Sequence, residues 1–206
     1  MARLVAWVRL AHNEIQDEYA DWDFLWRSNS FPTVAAQNTY DLPSTASMGA
    51  GNEITDFGSF DFYDGFSRVG AKVYIGTTQL NLIPWDDYDP NDYSGTAEPY
   101  DLTIRPDGAF VLAPTPDTAY TLNFEYFRTP LDFAANTDTP LFPVRFHDAI
   151  VWRAVLFYAN NESAGELVQQ GSQGYAKALA NLKADQLKHA RNFNKASGSA
   201  VVVTPQ

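Results

Sequence analysis

The sequence predicts an α+β chain: a helical body made of one N-terminal and two C-terminal helices, with a central antiparallel β-rich insert. Three observations predict it. Apolar residues near the N-terminus recur at helical spacing. Between residues 28 and 128 the pattern changes to short alternating runs broken by Gly, Pro and Asp. After Pro143 the helical spacing returns and lasts to about residue 191. The expected division is 1–27 and 143–192 for the helical body, 28–142 for the insert and 193–206 for an extended C-terminal arm.

The first helix is expected over residues 3–19, with Leu4, Val8, Ala11, Ile15 and Tyr19 as its apolar stripe. Glu14, Gln16, Asp17 and Glu18 fall mainly on the wet side. The cluster Asp21-Trp22-Asp23-Phe24-Leu25-Trp26 reads as a core plug between helix and first strand. Residues 28–34 and 38–42 read as a strand pair around a turn, and 54–62 as a further strand. Residues 71–75 and 79–83 read as a hairpin across Gly76-Thr77-Thr78. Residues 85–94 are acidic and can form a helical turn. The strongest strands are 101–105, 109–113 and 118–128, the first two joined by the Asp107-Gly108 hairpin signal. Residues 129–142 form a loop, and Pro143 suits the start of a helix over 144–160. Ser163 with Glu166 matches a capping box for the last helix, in which Gly171 and Gly174 predict a bend.

Composition narrows the function classes. The chain has 206 residues, 45% apolar, with 14 Phe, 11 Tyr and 5 Trp, enough to build a core. No run of 18 apolar residues exists, so no membrane span is expected. The opening MARLVAWVRLAHNE is broken by Arg9, His12 and Asn13 and lacks a signal peptide's long apolar region. Without cysteine there is no disulfide, thiolate metal site or cysteine nucleophile. The net charge of −11 is uneven: residues 1–142 carry 21 acids and 7 bases, while residues 143–206 carry 4 acids and 7 bases. So acidic a larger part opposes tight wrapping of DNA.

Motifs of chemistry are sparse. His12, His147 and His189 are scattered, and no nucleophile elbow, phosphate loop or full dinucleotide fingerprint occurs. No catalytic residue, cofactor or resident metal is therefore assigned, and the chain is not read as an enzyme. Asp87, Asp89, Asn91 and Glu98 have the spacing of a calcium loop, but Asp92 stands where that loop needs glycine and Pro99 follows at once. The plain reading of that segment is a solvated acidic turn. Acid pairs such as Asp61 with Asp64 and Asp86 with Asp87 would serve a glycosidase only at the right separation. The rings of Trp85, Tyr88, Tyr93 and Tyr100 beside these acids admit a glycan- or surface-binding β module, which requires them coplanar on an open groove. Lys177, Lys183, Lys188, Arg191 and Lys195 put positive charge on the last helix and its exit, where it offsets the helix dipole or meets an acidic partner.

Four stretches carry a family likeness: VAWVRLAHNEIQDEYADWDFLW, FPTVAAQNTYDLP, PDGAFVLAPTPDTAYTLNFEYFRTP and DTPLFPVRFHDAIVWRAV. Together they resemble the head-to-tail adaptor (connector) proteins of tailed bacteriophages, over about residues 5–187. The resemblance implies a structural protein of the virion neck, made in the host cytoplasm. It implies a homo-oligomeric ring, usually of twelve copies, stacked on the portal protein. Such a ring lets packaged DNA pass without specific binding and offers docking to tail or nozzle proteins. It further implies ring helices at 144–160 and 163–191, and a portal-gripping arm. The expected portal contacts are Lys188, Arg191, Phe193, Lys195, Val201, Val202 and Val203, the valines as the anchor. The loop before Pro143 is where neighbouring subunits are expected to touch, and the interface candidates are Phe133, Leu141 and Phe142 with Arg145 just after it.

Overall fold

The computed structural model describes residues 2–62, 70–135 and 137–187. Residue contacts divide the chain into two compact units, one joining 1–25 to the chain from Pro130 onward, the other Trp26–Thr129. This is the expected α+β organisation, a helical unit with a β-rich segment set into it. The second crossing falls earlier than the expected 142: the loop from Pro130 belongs to the helical unit because its backbone is bonded to the first helix.

The helical unit contains α1 (Ala2–Asp17), α3 (Asp148–Asn161) and α4 (Gly165–Gln186). A 3-10 turn, Val144–Phe146, directly follows Pro143 and leads into α3. Ala11 and Ile15 of α1 are fully buried, with Ala149, Ala154 and Leu156 of α3 and Ala178 and Leu182 of α4. Ion pairs Glu14–Arg153 and Glu18–Lys183 tie α1 to the other two helices. The plug of aromatic residues is confirmed: Trp22 is buried, donates from Nε1 to the Ile15 carbonyl at 3.1 Å and bridges to Leu187.

One local expectation for this unit fails. Ser163 does not cap α4. It takes a left-handed φ of 55°, and the Ala164 N–H bonds back to the Ala159 carbonyl at 2.9 Å. That is the geometry of a helix C-terminus, so Ser163 ends α3. Through its glycines α4 runs continuously from Gly165 to Gln186. A Cβ at Gly174 would lie 2.4 Å from the Trp152 ring, and one at Gly171 3.0 Å from Leu156. The two glycines are flat places where α3 seats its indole and leucine.

The β unit, by itself, has two sheets around one core. In the first, β11 (Thr121–Arg128) pairs along its length with β1 (Trp26–Pro32). Its other edge takes β3 (Phe57–Phe60) and β4 (Val73–Ile75), and β4 turns back into β5 (Thr78–Gln79). In the second, the order is β2 (Thr39–Tyr40), β9 (Phe110–Ala113), β8 (Asp101–Ile104), β6 (Asn81–Leu82). The expected pairing of 28–34 with 38–42 is therefore wrong: β1 and β2 join different sheets. The expected 101–105 and 109–113 hairpin forms, with Gly108 at φ 87°, a region that glycine enters without a Cβ penalty. A short parallel pair, β7 (Thr96–Ala97) with β10 (Thr115–Pro116), and a one-turn helix α2 (Thr45–Met48) complete the unit.

The two sheets share one aromatic core. Phe31, Leu122, Phe124 and Tyr126 enter it from the first, and Tyr40, Leu102, Phe110 and Leu112 from the second. Phe110 meets Phe57, Phe60 and Phe124 with centroids 5.0–5.9 Å apart. Each such ring, fully buried, contributes about 1.5–3 kcal/mol.

The glycine packing yields a test. Gly174→Ala gains helix propensity worth about 1 kcal/mol but drives a methyl into the Trp152 ring. The expected net effect is a loss of about 1–3 kcal/mol in chemical denaturation. A stability gain would show that α3 and α4 can move apart freely.

Candidate assembly surfaces

A strap of residues 131–134 runs along α1. The Gln16 amide clamps Leu131, donating from Nε2 to its carbonyl at 3.0 Å and accepting its N–H at Oε1 at 3.1 Å. One turn earlier Asn13 donates to Asp132. His12 stacks on Phe133 with centroids 3.7 Å apart, and Arg9 donates to the Ala134 carbonyl at 3.0 Å. Helix positions 16, 13, 12 and 9 thus meet loop positions 131, 132, 133 and 134 in turn. The Asp138 carboxylate ends the strap by accepting the Ala134 and Ala135 N–H groups, both at 2.7 Å. Those two bonds hold its pKa below the usual carboxylate value.

His12 is fully buried under the strap. Its Nδ1 lies 3.1 Å from the Gln16 Nε2 donor, and its Nε2 has no partner among the described residues. Burial lowers its pKa, against the opposing pull of Asn13 and Asp132.

Several expected contact residues take other places. Phe142, expected at a subunit interface, is 1% exposed and packs against His12, Phe24 and His147. It is a core residue, because the turn at Pro143 points the chain inward. Phe133 is half-buried on His12, and Leu141 is half-buried. Arg145 is exposed and ion-paired with Asp185 at 2.7 Å. The portal-contact set Lys188, Arg191, Phe193, Lys195, Val201, Val202 and Val203 lies outside the described residues, as do His189 and Asp64.

What the sequence did not single out is how much apolar surface the helical unit leaves open. Val144 is 79% exposed, Val151 59%, Leu4 57% and Leu10 48%. The opening LVAWVRL run, with Arg9 its one charged residue, was the available signal. Leu4 had been assigned to the core-facing stripe, and its exposure corrects that.

In the β unit, Trp85, Tyr88, Tyr93 and Tyr100 do come together, as a stack. Successive centroids are 5.5, 5.8 and 6.0 Å apart, the first two pairs tilted by only 26° and 25°. Tyr93 anchors the stack by donating from its hydroxyl to Asp101 at 2.8 Å. Burial and that carboxylate raise its pKa. The last pair, Tyr93 with Tyr100, is tilted by 46°, so Tyr100 turns away from the plane of the others.

The segment with calcium-like spacing forms a capped turn. Asp89 Oδ1 accepts from the Asn91 N–H at 2.8 Å and caps a 3-10 turn, Pro90–Asp92. Among the described residues no group of three or more His, Asp or Glu could hold a metal ion. Asp61, proposed for a carboxylate pair, has a fully buried side chain ion-paired at 3.5 Å with Lys72, which also meets Glu125 at 3.0 Å.

A family model described as SU10 adaptor protein matches residues 1–202. The chain belongs to this family of phage head-to-tail adaptor proteins. No curated protein matches the chain. A structural adaptor works through its surfaces, and in this adaptor the described surface has uncovered apolar side chains. No described helix is long and apolar enough to cross a membrane.

His12 makes the strap sensitive to pH. The folded-state pKa lies below the unfolded value, so the folded chain resists a proton that the unfolded chain accepts. Its contribution is complete above about pH 6.5 and is lost as pH falls toward the folded value. Resistance to urea should therefore fall more from pH 7 to pH 5 in the natural chain than in His12→Phe. Equal pH slopes in the two proteins would remove His12 from the account.

Proposed function

We propose that the adaptor forms a ring, usually of twelve copies, in the virion neck between portal and tail. Its helical unit builds the ring, and packaged DNA passes through without specific binding. The observation that carries this reading is the open apolar surface of a unit whose own core is already closed. Val144, Val151, Leu4 and Leu10 are each about half exposed or more, around a buried centre of Ala11, Ile15, Ala154 and Leu182. Apolar surface of that kind marks a protein contact. The net charge of −11 supports free DNA passage, since like charge discourages sticking to phosphates.

In this reading the residues beyond Leu187 grip the portal. They carry Lys188, Arg191 and Lys195 with no acid, then Val201, Val202 and Val203. Leu141 and Arg145 lie at the junction between neighbouring subunits. The β unit, with its aromatic stack, serves tail or nozzle proteins.

The test is co-assembly with the portal protein of the same virion, followed by electron microscopy and light scattering. A ring seated on the portal is expected. A chain truncated after Leu187 should bind the portal at least about tenfold more weakly, the equivalent of 1.4 kcal/mol. A full-length chain that never joins the portal, with no ring in virions, would sink the reading.

A further inference from the structure

The imidazole of His12 is enclosed by three side chains. Gln16 Nε2 lies 3.1 Å from its Nδ1, Phe133 stacks on the ring at 3.7 Å, and Phe142 packs at 6.0 Å. The backbone of the strap decides which ring nitrogen carries the proton. Leu131 needs an acceptor for its N–H and a donor for its carbonyl. The Gln16 amide supplies both, with Oε1 at 3.1 Å and Nε2 at 3.0 Å. That orientation points the second Nε2 hydrogen at His12, so Nδ1 accepts and the ring proton sits on the imidazole Nε2.

A proton added at Nδ1 reverses the contact. Both ring nitrogens then donate, and Gln16 Nε2 faces another donor at 3.1 Å. Asn13 Oδ1, 3.3 Å from Nδ1, can accept the new proton, but Gln16 is left without its acceptor. If the Gln16 amide turns over to offer Oε1 to the ring, both bonds to Leu131 are lost. The charged ring is also fully buried, and its Nε2 has no partner among the described residues. Of the charged groups around it, Asp132 on the strap favours the proton and His147, ahead of α3, opposes it. Arg9 and Asp138 are engaged at the far end of the strap, at Ala134 and Ala135.

We propose that His12 and Gln16 form an acid-released latch on the strap. A proton on His12 frees Leu131 and Phe133 from α1, while Arg9 and Asp138 keep Ala134 in place. Water then reaches the imidazolium, which the closed strap keeps buried. Phe133 is also a wall of the groove of about 450 Å³ beside Leu4, Val5 and Val8, so release enlarges the apolar surface next to α1. The released form takes its proton at the ordinary histidine value of 6.5, the closed form only at lower pH. Release is therefore rare above that value and grows by up to about tenfold for each pH unit below it. The Asp138 carboxylate, its pKa held low by the two N–H bonds, stays ionised over the same range.

NMR of the full chain tests the latch. At pH 7 the imidazole nitrogen shifts of His12 should place its proton on Nε2, and a proton on Nδ1 overturns the proposal. Amide exchange, corrected for its intrinsic pH dependence, is then compared at pH 7 and pH 5. The Leu131 N–H should lose at least about tenfold in protection, while Ala134 and the core amides of Ala154 and Leu182 keep theirs. In Gln16→Leu the Leu131 N–H should exchange fast at both pH values, and in His12→Phe its protection should not change with pH. Protection at Leu131 that persists at pH 5 overturns the latch, as does loss in step with Ala154 and Leu182, which is unfolding of the whole unit. Should His12→Phe fail to fold, the tautomer and the exchange of the natural chain still decide.

Discussion

The helical unit depends on fastening α1 to chain that lies far away in sequence. Gln16 meets Leu131 across 115 residues, Glu14 meets Arg153 across 139 and Glu18 meets Lys183 across 165. Without those contacts Ala11, Ile15 and Trp22 would lose the surfaces that bury them. Closing so long a loop costs little more than closing a short one, since the entropy grows only with the logarithm of length. The whole Trp26–Thr129 unit can therefore be carried between the two halves of the helical unit, provided it folds on its own core. Its shared cluster of buried side chains, sixteen among the described residues from Phe31 to Tyr126, is such a core.

The same fastening explains where the open apolar surface lies. The strap and the ion pairs secure α1 from Arg9 onward, while its first two turns extend past the residues that bury Ala11 and Ile15. Leu4 and Val5 are left without a cover for that reason, and α3 leaves Val151 and Tyr158 open on its outer side. Trp7 covers Tyr158 only in part, and apolar side chains left uncovered in this way suit a contact with another protein.

Aromatic residues do two different jobs in the β unit. Inside, Phe110 and its neighbours meet mostly edge to face, the arrangement that fills a core between two sheets. At Trp85 and Tyr88 the rings lie nearly parallel and stay partly exposed, fixed from below by the Tyr93–Asp101 bond. Of the acids around them, Asp89 caps a turn through Asn91 and Asp101 accepts from Tyr93.

Sequence by itself determined the α+β class, the helices at both ends, the Gly108 hairpin and the Trp22 plug. Each depends on local periodicity or on a turn residue whose conformational demand is intrinsic. Tertiary structure alone decided the partners of β1 and β2, since strand periodicity names a buried face and not the strand beside it. It also decided that Ser163 ends α3 and that Gly171 and Gly174 are contact points for Leu156 and Trp152. A glycine that bends a helix and one that admits a neighbour look the same in a sequence. Finally, it decided that Phe142 is core and Leu4 is surface, because a helical stripe shows which face is apolar but not how far along the helix something is there to bury it.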